Sequence, residues 1–296
     1  MGGDGDSGTW FFVDVGSLKA NAIGYEREKN HARSGRADFH RHLQGGRRAG
    51  DGRHPYPAAG ARSEKNLPVI MFPHGGPAAY DSPAFDWWAQ AFASRGYAVF
   101  QPNFRGSTNR DSAFKHAGDG EWGRKMQTDI SDGLAELVRR GIVDPKRACI
   151  MGASYGGYAA LAGVTLQTGL YRCSVSVAGI SDVTRMYSTD MRESNYNKML
   201  RSGLQEQLGD PAKLGEVSPR RFAARADAPI LLIHGKDDTR VPFVQSTMMV
   251  DALKDAGKPY EFVILRDEDH FLSRSPTRKQ MLEAAMTFVQ KYNPAD

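Results

Sequence analysis

The chain has 296 residues, 40% of them hydrophobic and 25% charged, with a formal net charge of +5. This is ordinary for a globular protein and far from a fibrous or wholly disordered composition. No apolar run approaches the ~20 residues of a membrane span, and no basic start leads into an apolar stretch with a small-residue cleavage site. Neither a membrane partner nor a secretory leader is therefore expected, and a cytoplasmic location fits best.

Along the chain, Thr9-Trp-Phe-Phe-Val-Asp-Val15 has the composition of a strand. Residues 27–65 then hold ten Lys/Arg against four Asp/Glu, so the positive charge is local and the remainder is nearly balanced. With Phe39 and Leu43 as its sizeable apolar residues, this stretch cannot bury enough surface to order itself. Residues 1–66 are read as a poorly ordered basic segment. It lacks the interleaved aromatics that stack bases, so no nucleic-acid partner is expected.

From Leu67 onward, apolar runs alternate with helical patterns. Strands are expected near 69–73, 97–102, 147–152, 174–178, 229–234 and 260–265. Helices are expected near 83–94, 124–140, 155–168, 242–256 and 276–292. In the helix at 124–140, Met126, Ile130, Leu134, Leu137 and Val138 recur at near-helical spacing. The alternation predicts an α/β domain over 67–296, with a mostly parallel, doubly wound sheet and helices on both faces. Cys149 and Cys173 fall on buried strands and read as small hydrophobes, not as a disulfide framework. Residues 183–222 form an insertion above the strand ends. It holds Met186, Tyr187, Tyr196, Met199 and Phe222; such an insertion is expected to shape the specificity pocket, and its aromatics are taken as core.

The chemistry concentrates at Gly152-Ala-Ser154-Tyr-Gly156-Gly-Tyr158, where a strand runs into a Gly-x-Ser-x-Gly turn and an Ala-rich helix follows. Such a turn strains the serine backbone, lifts its hydroxyl clear of the sheet, and needs tiny neighbours two residues away on either side. Ser154 is the candidate nucleophile. A nucleophilic serine needs a base and an orienting carboxylate. Both lie downstream if the fold is an α/β-hydrolase. Of the 8 histidines, only His270 is past a final strand and downstream of the candidate acids. The acid itself stays open among Asp237, Asp238 and Asp182. No Cys/His spacing suggests a metal, and no phosphate loop or other cofactor motif is present.

Taken together, His74-Gly75-Gly76-Pro77, Asn103-Phe-Arg105-Gly-Ser, Glu121-Trp-Gly, the Ser154 turn, His234-Gly-x-x-Asp238-x-Arg240-Val-Pro and Glu268-Asp-His270 come in an order that resembles the catalytic domain of the prolyl oligopeptidase family of serine peptidases. The likeness is greatest to its acylaminoacyl-peptidase-like and dipeptidyl-peptidase-like members, and it covers roughly residues 67–293. The resemblance implies the α/β-hydrolase fold and a Ser154, Asp238, His270 triad, since the family's acid stands four residues after the His of His-Gly. It also implies an oxyanion hole from the Tyr155 amide and a backbone amide of Gly75 or Gly76, with Gly76 preferred. The dipeptidyl-peptidase branch places a tyrosine hydroxyl near that loop, where this chain has His74. Arg105 reads as a structural ion-pair residue.

The implied activity is cleavage of short or N-blocked peptides through an acyl-enzyme. The same triad would serve a carboxylesterase acting on acyl esters, and a non-catalytic binding module on a hydrolase scaffold is the reading from another class. Oligomeric state is open, a homo-oligomer included. Relatives carry an N-terminal β-propeller over the active site. Here the Arg/Gly/His-rich stretch departs from that pattern, so residues 1–66 are read as a remnant of a lost propeller.

Overall fold

The computed structural model describes residues 9–14, 19–25 and 65–295. Strands β1 (Thr9–Asp14) and β2 (Lys19–Tyr25) pair antiparallel, with Thr9 opposite Tyr25 and Asp14 opposite Lys19. The expected strand at 9–15 thus corresponds to β1, and β2 was not foreseen. Strand pairing satisfies the backbone groups of both segments. The basic stretch at 27–65 lies outside the described residues except for Lys65.

The main sheet contains β3 (Leu67–Met71), β4 (Ala98–Phe100), β5 (Val143–Ala153), β6 (Cys173–Val177), β7 (Ile230–Gly235) and β8 (Tyr260–Leu265). Its order is β4-β3-β5-β6-β7-β8, and every neighbouring pair is parallel. Parallel strands need both faces covered, which is why β6 and β7 are buried along their whole length. Helices α1 (Trp87–Ala93), α2 (Ser112–His116), α3 (Lys125–Arg139), α4 (Tyr155–Thr165), α5 (Val183–Glu193), α6 (Lys198–Leu208), α7 (Val244–Asp255) and α8 (Ser275–Tyr292) connect them. Val69, Ile150 and Leu232 meet α3, α4 and α7 on one face. Ile70, Met151 and Leu231, the alternate positions, meet α1 and α8 on the other. This is the doubly wound α/β-hydrolase sheet that the strand–helix alternation predicts.

Two expectations fail here. Cys149 and Cys173 are not separate thiols: they form a disulfide, with Cα atoms 4.8 Å apart and both residues fully buried. They stand directly opposite each other in the register of β5 and β6, a pairing that depends on strand order and not on sequence spacing. One aromatic of the insertion, Tyr196, also differs from its description as core. Met186 and Tyr187 pack against the main cluster, whereas Tyr196 and Met199 are exposed, at 60% and 86%. The segment folds as α5, α6 and two 3₁₀ turns (Pro211–Val217, Pro219–Arg225). The buried stripes of α5 and α6 face inward, and Tyr196 and Met199 fall at the junction between those helices.

Candidate active site

Because all six strands are parallel, their carboxyl ends share one edge of the sheet, where such folds place ligand crevices. Ser154 follows β5, Asp238 follows β7 and His270 follows β8. The oxyanion-loop candidates Gly75 and Gly76 follow β3.

Ser154 has φ +58 and ψ −119, a left-handed conformation that a residue with a Cβ adopts only under constraint. The constraint is visible in the neighbours. A Cβ on Gly152 would lie 2.6 Å from the backbone of Gly156, and one on Gly156 would run into the carbonyl oxygen of Pro73. Strand, helix and the loop after β3 are therefore in backbone contact around the serine, which leaves it half-buried at the tip. The Ser154 amide donates to Val177 O (2.9 Å), tying the turn to β6. A Cβ on Gly75 would sit 3.4 Å from Ser154 Cβ, so the loop after β3 lies directly against the nucleophile candidate. Tyr155 opens α4. Its ring is wedged among Phe104, Trp122 and Tyr158, and burial raises its phenol well above the ordinary range. Neither the Tyr155 nor the Gly76 amide donates to a backbone acceptor among the described residues.

At the other end of the edge, His270 Nδ1 donates to Asp238 Oδ2 at 2.7 Å. Asp238 Oδ1 accepts the amides of Arg240 and Val241, each at 2.8 Å. Its side chain is fully buried. Burial pushes this carboxyl up, but hydrogen bonds from His234, His270 and the Val241 amide outweigh it and hold it well below the carboxylate range. The pairing fixes the tautomer of His270: with Nδ1 donating, Nε2 presents its lone pair and has no protein partner among the described residues. No hydrogen bond joins it to Ser154 here. Asp237, the neighbouring candidate, is exposed and offers its amide to Glu268 O (3.1 Å). Asp182 caps α5 at Arg185 N and pairs with Arg220 at 2.9 Å, so its carboxylate is committed elsewhere. Arg105 forms a two-pronged ion pair with Asp129, both contacts at 2.7 Å, and does not reach toward the site.

One trio among the described residues, His116, Asp119 and Glu206, brings metal-ligand atoms within 4.8 Å of one another. His116 and Glu206 are exposed, and His116 Nδ1 is already hydrogen-bonded to Asp119 at 2.8 Å, which makes the trio a hydrogen-bonded surface cluster.

Comparison with known proteins identifies the lineage. A model of the prolyl oligopeptidase family matches residues 83–294. The chain belongs to that family. It is 34% identical over 224 residues to dipeptidyl aminopeptidase BIII of Pseudoxanthomonas mexicana, covering 74% of this chain and 32% of that protein. It is 33% identical over 247 residues to dipeptidyl peptidase family member 6 of Caenorhabditis elegans, covering 81% of this chain and 33% of the relative. Among solved structures, a puromycin-hydrolyzing peptidase of Mycobacterium tuberculosis superposes with a TM-score of 0.81 at 26% identity. That match covers 100% of this chain and 45% of the other. The chain thus spans about a third of the length of the curated relatives it matches.

Three supports of this prolyl oligopeptidase-family site were not assigned from sequence. His234 Nε2 lies 2.9 Å from Val241 O and 3.2 Å from Asp238 Oδ2. Two acceptors there mean that Nε2 carries the proton, and Ser246 donates to Nδ1 (2.7 Å). The acid therefore sits between two imidazoles. Glu268 is fully buried and accepts the Asp269 and Arg274 amides and the Thr277 hydroxyl, which fixes the loop carrying His270. His74 donates from Nδ1 to Gly75 O and accepts from Ser107 at Nε2, both at 2.8 Å, while stacking on Phe104. Burial pushes its pKa down to about 4, so it braces the loop after β3 as a neutral ring. The four-residue spacing from His234 to Asp238 was the one available signal for the first of these.

Proposed function

We propose that this family member is a serine peptidase acting on short or N-blocked peptides through an acyl-enzyme. The observation that carries the reading is the buried Asp238–His270 pair on the same sheet edge as a serine held at positive φ. In this mechanism His270 Nε2 takes the Ser154 proton as Oγ attacks the scissile carbonyl. Asp238 keeps the imidazole oriented and stabilises the imidazolium. The new oxyanion accepts from the Tyr155 and Gly76 amides, an interaction worth about 3 kcal/mol per donor. Imidazolium then protonates the leaving amine, and water activated by the same ring releases the acyl group.

The test is stoichiometric labelling by a fluorophosphonate, followed by kcat/KM on aminoacyl p-nitroanilides and p-nitrophenyl acyl esters. Labelling that disappears in Ser154→Ala, with anilide turnover, supports the reading. Turnover of esters alone makes the protein a carboxylesterase, and absence of labelling makes it a binding module.

Division into a 1–66 segment and a 67–296 catalytic domain is part of the same proposal, supported by the start of β3 at Leu67. No helix among the described residues is long and apolar enough to cross a membrane. A cytoplasmic site of action stays a proposal, and the Cys149–Cys173 bond bears against it, because cytosolic thiols are kept reduced.

A further inference from the structure

Beside the oxyanion loop lies a recess of about 200 Å³, walled by Asp81, Asp86, Trp87 and Gln101 and by Gly75 and Ala153, the residue before the nucleophile candidate. It has room for one side chain. Two of its polar walls are unexplained by the fold. Gln101 is 4% exposed and its Oε1 is buried without a hydrogen-bond partner. Asp81 Oδ2 is likewise buried and unpartnered. Asn103 bonds the Asp81 backbone at both N and O (2.9 Å each), which pins the loop through its backbone and not through the Asp81 carboxylate. Asp86 adds a third acceptor, part of which is spent on capping α1. Buried acceptors without donors are rare and costly in native proteins. Here both line one recess, together with Trp87.

We propose that this recess is a subsite for an ammonium or guanidinium group carried by the substrate. The proposal rests on the reading of Ser154 as the nucleophile next door. A cation supplies the missing donors to Asp81 and Gln101, and the Trp87 ring offers it a π face. A neutral side chain of the same length leaves both acceptors unpaired, which is how a polar site discriminates. Charge in the recess depends on Asp81. Burial, then the neighbouring Asp86, push its carboxyl up to about 7. His74, which also lines the recess, is neutral there because burial lowers it to about 4. The other walls carry no titratable group. Preference for a cation should therefore rise with pH through about 7.

Two measurements on the full chain test this. First, binding of n-butylguanidinium is followed by calorimetry in wild type and Asp81→Asn, a readout that needs no turnover. Second, kcat/KM is compared for peptide pairs differing only in Lys against norleucine at each position, and in free against acetylated N-terminus, between pH 6 and 8.5. Wild type should prefer the cationic member by about tenfold or more at high pH, and Asp81→Asn should erase the preference. A preference that follows the side chain identifies a basic residue as the ligand, and one that follows the terminus identifies the terminal amine. Equal rates for all pairs together with no guanidinium binding, or a preference that survives Asp81→Asn, overturns the proposal. Should Asp81→Asn not fold, Gln101→Met carries the same comparison. If Ser154 proves unreactive, the nucleophile reading fails, and the calorimetric arm still decides the subsite.

Discussion

The serine end and the acid–histidine end of the sheet edge hold their groups by opposite means. Ser154 is positioned by backbone against backbone, with Gly152, Gly156 and Pro73 too close for any side chain to intervene. Asp238 and His270 are positioned by side-chain hydrogen bonds, the acid alone accepting from two rings and two amides. The first end should be intolerant of added volume, the second of lost donors or acceptors. A close-packed turn has no softer alternative, whereas a hydrogen-bonded corner can lose one partner and keep its shape.

The largest expected effect is loss of the reacting groups themselves. Ser154→Ala and His270→Ala should each lower kcat by on the order of several thousand-fold or more, and the double variant should be scarcely worse, because the groups act as a unit. Measuring all three by burst-free steady-state kinetics breaks the scheme if the two losses simply multiply. Next comes the choice of acid. Asp238→Asn should cost on the order of 10⁴-fold in kcat with little change in fold, while Asp237→Asn should stay within about 0.5 kcal/mol in stability and near wild type in rate. The reverse ranking would move the acid to the exposed neighbour.

The volume side of the contrast is sharpened by Gly156→Ala. One methyl pressed against Pro73 should destabilise by about 1–3 kcal/mol in denaturant melts and reduce activity further than stability alone explains. A neutral outcome would mean that the elbow is not close-packed. The smallest effect concerns pH. His74 has a folded pKa lowered to about 4 from an ordinary ~6.5. The unfolded chain therefore binds its proton first, and stability falls as pH drops from about 6.5 to 4. Asp81, raised to about 7, has the opposite sign: the unfolded carboxyl ionises first, so stability falls as pH rises from about 4 to 7. The two oppose each other in wild type. Asp81→Asn should unmask a steeper rise of Tm with pH between 4 and 6.5, and a slope unchanged from wild type would count against the buried carboxyl.

Much of the sheet was legible because buried parallel strands are continuous apolar runs bounded by turns, as at 229–234 and 260–265, which differ from β7 and β8 by at most one residue. The serine turn was legible because its glycines answer to a steric demand within five residues. What escaped depends on contacts between distant segments. The Cys149–Cys173 bond follows from β5 lying beside β6. The roles of His234 and Glu268 need the loops after β7 and β8 to meet, as they do where Asp237 N reaches Glu268 O. Helices α2, α5 and α6 escaped for another reason. They are short and mostly polar, held by caps such as Asp111, Asp182 and Asn197, not by a long apolar stripe.

Tyr155 has one more consequence. Its amide is the one proposed to meet the substrate oxygen, yet its ring is locked in the aromatic interior with Trp122 and Tyr158. That wall of the cradle is keyed into the keel of the molecule, whereas the facing wall hangs from a surface loop moored by His74 and Ser107. Any give needed to admit a broader acyl group must come from the loop, so loosening that mooring should widen the range of acceptable substrates before it blunts the chemistry.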